Sequence, residues 1–181
     1  MPNSNHTFTV VASLDDLAKA LFVRGCVFVE ELGIPYREEF DGGDESAMHF
    51  LGFASEEPVA AARLHHLDGA ARIERICVRK AYRQKGLGDK LLSFVLATAE
   101  QAGYKRCSIL ADGMLVQWYR HHGFEILRKI ERADGSECLE MLLTLGKKSV
   151  DQKPARRAKE AKPHKPLLTA TSKKPQPKTK S

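Results

Sequence analysis

Apolar residues recur along most of the chain with the spacing expected of strands and amphipathic helices. Residues 6–12 are rich in β-branched side chains and predict a first strand. Apolar positions at three- and four-residue intervals over 14–32 predict a helix, with Ser13 as its N-cap. Gly25 stands in the middle of that helix and is expected to split or bend it. The helix should end at Gly33-Ile34-Pro35.

The middle of the chain predicts an antiparallel meander. Segments 47–54, 59–67 and 71–79 each read as a strand. Short turns, Glu56-Glu57-Pro58 and Leu67-Asp68-Gly69, separate them. The strands should therefore pair in sequence order, with the last one leading into the turn that follows.

Helix and strand patterns alternate after residue 80. A long apolar helix pattern starts at Leu87, and Gly103 is its candidate C-cap. A short apolar strand is predicted at 106–111 and a short helix at 114–122, followed by Gly123. Residues 124–132 and 137–145 predict a closing hairpin that turns at Ala133-Asp134-Gly135. The predicted element order is β-α(α)-β-β-β-α-β-α-β-β.

The turn between the third meander strand and the long helix contains the residues Arg83-Gln84-Lys85-Gly86-Leu87-Gly88. Free N–H groups and the helix dipole at such a turn favour a bound phosphate, and glycines allow its close approach. Gly88-Asp89-Lys90 lacks the Gly-Lys-Ser/Thr ending of a Walker loop, and no third glycine near Leu91 completes a dinucleotide fingerprint.

The remaining pattern, Arg83-x-x-Gly86-x-Gly88, resembles the pyrophosphate loop of the GNAT superfamily of acyl-CoA-dependent N-acetyltransferases. Residues 110–124, LADGMLVQWYRHHGF, resemble the tyrosine and Gly-Phe segment of the same family. Residues 24–49 are similar to an ElaA-type subgroup. The matching positions there are Arg24, Val27, Phe28, Val29, Glu30, Pro35, Glu39, Asp41, Asp44, Ala47 and His49.

This resemblance covers roughly residues 7–146 and implies a fold and a ligand. The implied α/β fold is a GNAT-type mixed, mostly antiparallel central sheet with flanking helices. The implied cosubstrate is acetyl-CoA. Strand residues Ile76, Cys77 and Val78 are expected to hydrogen-bond the pantetheine amides through their backbone. Arg83 and Lys85 are expected to add positive charge at the pyrophosphate. The loop residues expected to hold the pyrophosphate are Arg83, Gln84, Lys85, Gly86, Leu87, Gly88 and Asp89.

The reaction implied by the resemblance needs a proton donor and a proton acceptor. Tyr119 is the candidate acid for the departing thiolate, with a packed aromatic as the alternative. Glu74 is the candidate base, with an ion pair to Arg72 or another neighbouring arginine as the alternative. Trp118 reads as a core residue, and Gln117 either reaches cofactor amides or is solvated. The other candidate bases are Glu39, Asp41 and His49.

Two positions depart from the subgroup pattern, and one segment bears on the acceptor. Glu31 and Asp112 stand where the subgroup usually has glutamine, which leaves the acceptor's identity open. Residues 36–46 are polar and acidic. They read either as a solvated loop or as a rim that attracts a cationic small-molecule or peptide acceptor.

Charge divides the chain into a domain at 1–146 and a tail at 147–181. The tail has twelve Lys and Arg against two acids, which gives +10, so a total of +6 leaves −4 for the domain. Five prolines and few apolar residues predict that this basic C-terminal tail is disordered. The tail is a candidate contact for an acidic partner, with a plain solvated extension as the alternative.

The cysteines and the apolar runs indicate a cytoplasmic location. Cys26, Cys77, Cys107 and Cys138 lie far apart inside apolar segments, with neither redox nor zinc spacing, so reduced buried thiols are expected. No metal site is predicted. No secretory signal or transmembrane run is recognised, and a homodimer remains open.

Together these patterns predict an N-acetyltransferase that uses acetyl-CoA and a primary amine. Two other classes stay open: a non-catalytic acyl-CoA-binding module, and a nucleic-acid-associated protein that acts through its basic tail.

Overall fold

A computed structural model describes residues 6–67, 70–84, 86–132 and 135–146. Its strands are β1 (His6–Val10), β2 (Met48–Ala54), β3 (Glu57–Leu67), β4 (Ala70–Val78), β5 (Arg106–Ala111), β6 (Glu125–Glu131) and β7 (Glu137–Thr144). Its α-helices are α1 (Leu14–Arg24), α2 (Tyr36–Glu39), α3 (Leu87–Gln101) and α4 (Leu115–His121). A π-helix (Gly25–Glu31) and two 3₁₀ turns (Gly43–Ser46 and Lys80–Tyr82) complete the regular structure of these residues.

The strands form one sheet in the order β1-β2-β3-β4-β5-β7-β6. Every neighbouring pair is antiparallel except β4 and β5, which run parallel. The fold class predicted from the sequence, a mixed and mostly antiparallel sheet with flanking helices, is confirmed. The predicted meander corresponds to β2, β3 and β4.

Alternate residues of the central strands supply two separate cores, because successive strand side chains point to opposite faces. On one face, Leu64 of β3 and Ile73 of β4 pack with Leu91 and Val95 of α3. The core of the other face contains Ala20, Val23, Val27, Leu51, Ala61 and Cys77. The first of these surfaces is called the α3 face below, and the second the α1 face.

The first helix begins and changes pitch where the sequence predicts. The Ser13 hydroxyl accepts a hydrogen bond from Asp16 N–H at 3.1 Å, which confirms the N-cap. At Gly25 the α-helix becomes a π-helix, which continues the same segment to Glu31. Gly33, with φ +70°, follows the end of that segment.

Strands β4 and β5 separate shortly after they meet. Their parallel pairing consists of Ala71 with Cys107 and Arg72 with Ser108. Beyond that point the β3–β4 register shifts, and Arg75 adopts φ +50°, which marks a bulge in β4. The sheet is therefore open between the later part of β4 and the end of β5.

Several predicted features lie outside the described residues. They are the Asp68-Gly69 and Ala133-Asp134 turn positions, Lys85, and the tail at 147–181. The described helices include none with the length and apolar character needed to cross a membrane.

Burial accounts for the chemistry of the cysteines. All four are free thiols, and three of them are buried. Burial raises the pKa of Cys77 to about 12 and that of Cys107 to about 11. Both therefore remain protonated at neutral pH, which makes each a poor nucleophile.

Candidate active site

The turn before α3 has the backbone of a phosphate-binding loop. Gln84 and Gly86 both have positive φ, +63° and +69°, and α3 begins at the next residue. The first α-helical hydrogen bond runs from Lys90 N–H to Gly86 O at 3.1 Å. No side chain of the described residues caps this end. The N–H groups of residues 87–89 are therefore available to an anion.

The indole of Trp118 and the carboxylate of Asp89 shape one side of this turn. A Cβ added at Gly88 would lie 3.6 Å from the Trp118 ring. Asp89 accepts hydrogen bonds from Trp118 Nε1 at 2.8 Å and pairs with His122 Nε2 at 2.9 Å. Trp118 is half-buried with a polar partner, so reading it as a plain core residue was incomplete. These contacts connect the start of α3 to α4.

Arg83 is engaged away from the loop amides, which differs from the role expected for it. Its Nε donates to Val78 O at 2.9 Å. Its two terminal nitrogens bind both carboxylate oxygens of Glu31, at 2.8 and 2.6 Å. Glu31, one of the two departures from the subgroup pattern, therefore neutralises the arginine predicted to add charge at the pyrophosphate.

The backbone groups of Cys77 and Val78, in the strand before the loop, point in opposite directions. Arg79 N–H donates to Val59 O at 2.8 Å, so Val78 turns its own N–H and C=O away from β3. That C=O accepts from Arg83, which leaves the Val78 N–H on the open side. Cys77 is paired with Ala61 of β3, so its C=O points toward β3 and away from the opening. Of Cys77 and Val78, it is Val78 whose backbone faces a ligand in the opening.

Tyr119 lies on α4 with only 4% of its surface exposed. Its ring packs at 4.8 Å from the Trp118 ring and at 5.6 Å from the Phe124 ring. Burial raises the pKa of Tyr119 above its usual value, so the phenol keeps its proton at neutral pH. Gln117 is exposed on the same helix, and its backbone C=O lies beside His121 Nδ1.

Glu74 forms an ion pair, as one of the sequence interpretations allowed. Its Oε2 lies 2.7 Å from Arg63 Nη2, and the two residues are direct partners across β3 and β4. Arg63 also binds Asp41 through both terminal nitrogens at 2.8 Å. Arg63 is 1% exposed, so the acids around it balance a charge held inside the protein.

Two acids of segment 36–46, Glu39 and Asp44, are held in ion pairs inside the protein. Glu39 is fully buried and lies 2.6 Å from Arg24 Nε and 2.8 Å from Arg75 Nε. Asp44 accepts from Arg24 at 2.5 Å and from Arg63 at 3.0 Å. Neither acid is therefore free to attract a cationic acceptor.

The pKa shifts in this cluster follow from burial and from the arginines. Hydrogen bonds from Arg63 hold the pKa of Asp41 well below its usual range. Burial opposes the arginines at Asp44, yet its pKa is also lowered. Burial raises the pKa of Glu39 against the hydrogen bond from Arg24, and it lowers the pKa of His49.

Sequence reasoning missed the central place of Arg63 in this cluster. The available signal was its position inside Ala60-Ala61-Ala62-Arg63-Leu64, a run otherwise suited to a buried strand. A charge in such a run requires acidic partners, and the chain has them at 41, 44 and 74. No group of three or more His, Cys, Asp or Glu side chains in the described ranges is arranged to hold a metal.

Comparison with known proteins gives a consistent result. A family model described as an acetyltransferase (GNAT) domain matches residues 28–145. A Bacillus subtilis protein named as the uncharacterized N-acetyltransferase YjcF is 33% identical over 129 residues. That match covers 71% of this chain and 92% of the relative.

Two solved structures share the fold. Escherichia coli ElaA superimposes with a TM-score of 0.66 at 27% identity. An acyl-CoA N-acyltransferase from Pseudomonas aeruginosa superimposes with a TM-score of 0.68 at 25% identity. Each match covers 76% of this chain and 99% of the other chain.

Proposed function

Because the chain belongs to the GNAT acetyltransferase family, we propose that it transfers an acetyl group from acetyl-CoA to a primary amine. The acceptor is a small molecule or a peptide, and transfer occurs by direct attack of the amine. The four free cysteines support a reducing, cytoplasmic setting for this reaction.

The observation that carries the proposal is the uncapped start of α3 beside the opening between β4 and β5. The N–H groups of residues 87–89 have no side-chain cap, and Gly88 leaves their approach open. An extended amide chain that ends in a diphosphate fits this combination, because it can follow β4 and place its charge at a helix N-terminus. Val78 N–H is one backbone donor along that path.

Two residues supply the proton transfers of the proposed reaction, Glu74 as the acceptor and Tyr119 as the donor. Bound in the opening, acetyl-CoA would supply the thioester whose carbonyl carbon the neutral amine attacks. Glu74 accepts the proton that the ammonium must lose before attack. As the carbon–nitrogen bond forms and the carbon–sulfur bond breaks, Tyr119 donates its proton to the sulfur. Burial keeps the phenol protonated at neutral pH and so available as the donor, while the raised pKa also makes it a weaker acid.

A thiol-release assay with acetyl-CoA and a panel of amines tests the proposal. We expect free thiol to form only when an amine is present. Tyr119→Phe should lower kcat by about 10²-fold or more, the usual size of a general-acid contribution, while coenzyme A binding is unchanged. Tyr104→Phe is the matched control, because Tyr104 precedes β5 and its ring packs beside His66, whereas Tyr119 belongs to α4.

The same assay separates the proposal from a binding module without chemistry. Tight coenzyme A binding with no thiol release from any amine would favour the module and contradict the enzyme. Equal kcat for the Tyr119→Phe and Tyr104→Phe variants would remove Tyr119 from the mechanism while leaving the transferase in place.

A further inference from the structure

A cavity of about 530 Å³ lies on the α1 face of β3 and β4. The charged and polar side chains that line it are Asp41, Ser46, Arg63, His65, His66, Arg72 and Glu74. Arg72 is the last residue of β4 paired with β5, and Glu74 is the next residue on that face. The cavity therefore lies beside the point where the sheet opens.

One end of the cavity carries negative charge. Asp41 and Glu74 both bind Arg63 Nη2, at 2.8 and 2.7 Å, which places their carboxylates close together. They belong to a cluster of three arginines and four carboxylates, which has one net negative charge. Its members are Arg24, Arg63, Arg75, Glu39, Asp41, Asp44 and Glu74. The Asp41 side chain is 38% exposed and that of Glu74 is 26% exposed, so both can meet a ligand.

His65 lies at this same end, beside Gly43. Its Nε2 is 3.6 Å from Glu74 Oε2. A Cβ on Gly43 would lie 3.1 Å from the imidazole, closer than an ordinary contact, so the missing side chain gives the ring space. An ammonium at this position would have two carboxylates and an imidazole as neighbours.

The other end of the cavity carries positive charge. Arg72 Nη2 lies 3.0 Å from Glu140, and Arg128 Nε binds the other oxygen of Glu140 at 2.6 Å. Two arginines on one carboxylate leave one net positive charge. Arg72 is 26% exposed, and its buried Nε has no hydrogen-bond partner among the described residues. The partly exposed Arg72 guanidinium therefore offers positive charge to a carboxylate ligand.

We propose that this cavity is the acceptor site and that the acceptor is an amino carboxylate, with its ammonium at Asp41 and Glu74 and its carboxylate at Arg72. The inference rests on the proposed acetyl transfer and names its substrate class. The ammonium gives one proton to the Glu74 carboxylate, and the resulting amine forms the new carbon–nitrogen bond. The thioester carbon–sulfur bond breaks, and the sulfur receives the Tyr119 proton.

A matched acceptor panel tests the class of substrate. Glycine, β-alanine and 4-aminobutanoate are each compared with the alkyl amine of the same chain length, and with 1,4-diaminobutane. We expect at least one amino carboxylate to exceed its alkyl amine and the diamine in kcat/KM by more than about tenfold, as expected for a charge-assisted hydrogen bond. Preference for the diamine or the alkyl amines would overturn the proposal.

A variant pair locates the carboxylate site. Arg72→Gln should raise the KM for the preferred amino carboxylate by about tenfold or more, and leave kcat/KM for the alkyl amine within about twofold. Glu140 keeps Arg128 as its partner in this variant, which protects the fold. Arg106→Gln, at the exposed start of β5, is the control and should change neither value. Equal losses for both kinds of acceptor in Arg72→Gln would contradict the assignment.

Calorimetry with coenzyme A separates failure of the proposed acceptor class from failure of the proposed acetyl transfer. If coenzyme A binds and amines other than amino carboxylates are acetylated best, the acceptor class is wrong and the transferase stands. If coenzyme A does not bind and no amine releases thiol, the proposed function fails and the acceptor site fails with it.

Discussion

The two glycines of the phosphate turn have different roles at the residue scale. Gly86 has φ +69°, and an added Cβ would meet Asp89 Oδ2 at an ordinary contact distance of 3.9 Å, so glycine is needed there for its conformation. Gly88 lies within the first turn of α3, and a Cβ there meets Trp118 at an ordinary contact distance of 3.6 Å. We infer that glycine is needed at 88 because it leaves room for the ligand.

Replacing each glycine by alanine should therefore separate stability from binding. Gly86→Ala should lower the free energy of unfolding by about 1–2 kcal/mol, the cost of a left-handed alanine. Gly88→Ala should leave stability unchanged or slightly higher, because alanine suits a helix, but weaken coenzyme A binding by about tenfold or more. Urea unfolding and calorimetry measure the two effects. Unchanged coenzyme A affinity in Gly88→Ala would place the diphosphate elsewhere.

The Glu31–Arg83 pair gives a second prediction at the residue scale. Glu31→Gln releases the Arg83 terminal nitrogens for a diphosphate while keeping the side-chain shape. We expect coenzyme A to bind about 3- to 10-fold more tightly at low salt, with a steeper loss of affinity as salt is added. Calorimetry at two salt concentrations checks this. Weaker binding would instead mean that the pair holds the loop in its binding shape.

Long-range pairs are the residue-level features that sequence reasoning could not supply. The loop at Gly86 and Gly88 was predictable because its signal lies within a few residues. The partner of Arg83 lies 52 positions away, and the partners of Arg63 lie 11 to 22 positions away. Without these contacts, the acidic segment could be read only as a solvated loop or a free rim, and both interpretations were wrong for Glu39.

At the scale of elements, two glycines outside the site test how tightly the cores are packed. Gly25, at the start of the π-helix, has φ −57° and no atom within 4 Å of an added Cβ. Gly52, in β2, would place a Cβ 2.9 Å from the Phe8 ring and 3.0 Å from Ala60 Cβ.

These two positions should respond to alanine in opposite directions. Gly25→Ala should raise the free energy of unfolding by about 0.5–1 kcal/mol, because alanine loses less entropy on folding. Gly52→Ala should lower it by about 1–3 kcal/mol through overpacking. Chemical denaturation of both variants provides the comparison. Destabilisation by Gly25→Ala would mean that the π-helix depends on the glycine itself.

The order of elements was predictable because strand and helix periodicities are local. The prediction of a mixed, mostly antiparallel sheet followed from that order and from the family resemblance together. The π-helical pitch after Gly25 and the bulge at Arg75 were not predictable, since each depends on what the segment packs against. The bulge brings Glu74 and Arg75 to the same arginine–carboxylate cluster, and that placement defines the acceptor cavity.

At the scale of the whole molecule, the buried ion-pair cluster should govern stability in acid. The folded-state pKa values of Asp41 and Asp44 are lowered, so their stabilisation is present above the unfolded pKa of about 3.9 and is lost as pH falls below it. Glu39 has the opposite shift and offsets part of this loss.

We expect the free energy of unfolding to fall steeply below about pH 4, and Asp41→Asn to flatten that fall. Glu56→Gln, an exposed acid on the β2–β3 turn, serves as the control and should leave the slope unchanged. Urea unfolding between pH 3 and 7 makes the comparison. An unaltered slope in Asp41→Asn would show that its carboxylate is not held by Arg63 in solution.

At the scale of the whole molecule, the distribution of charge predicts that the domain binds coenzyme A and that the basic tail binds anionic polymers. Deleting 147–181 changes the net charge from +6 to −4. We expect this truncation to leave coenzyme A affinity within about twofold and to abolish salt-sensitive binding to an anionic polymer such as DNA. DNA binding that survives the deletion would assign that property to the domain.

The central claim is that the amides at the start of α3 hold the diphosphate of coenzyme A. An NMR titration of the isotope-labelled protein with coenzyme A tests it most directly, because each amide reports separately. We predict saturable shifts for Leu87, Gly88 and Asp89, with Gly103, beyond the other end of α3, unmoved. Shifts absent from residues 87–89 while coenzyme A binds elsewhere, or no binding at all, would contradict the account.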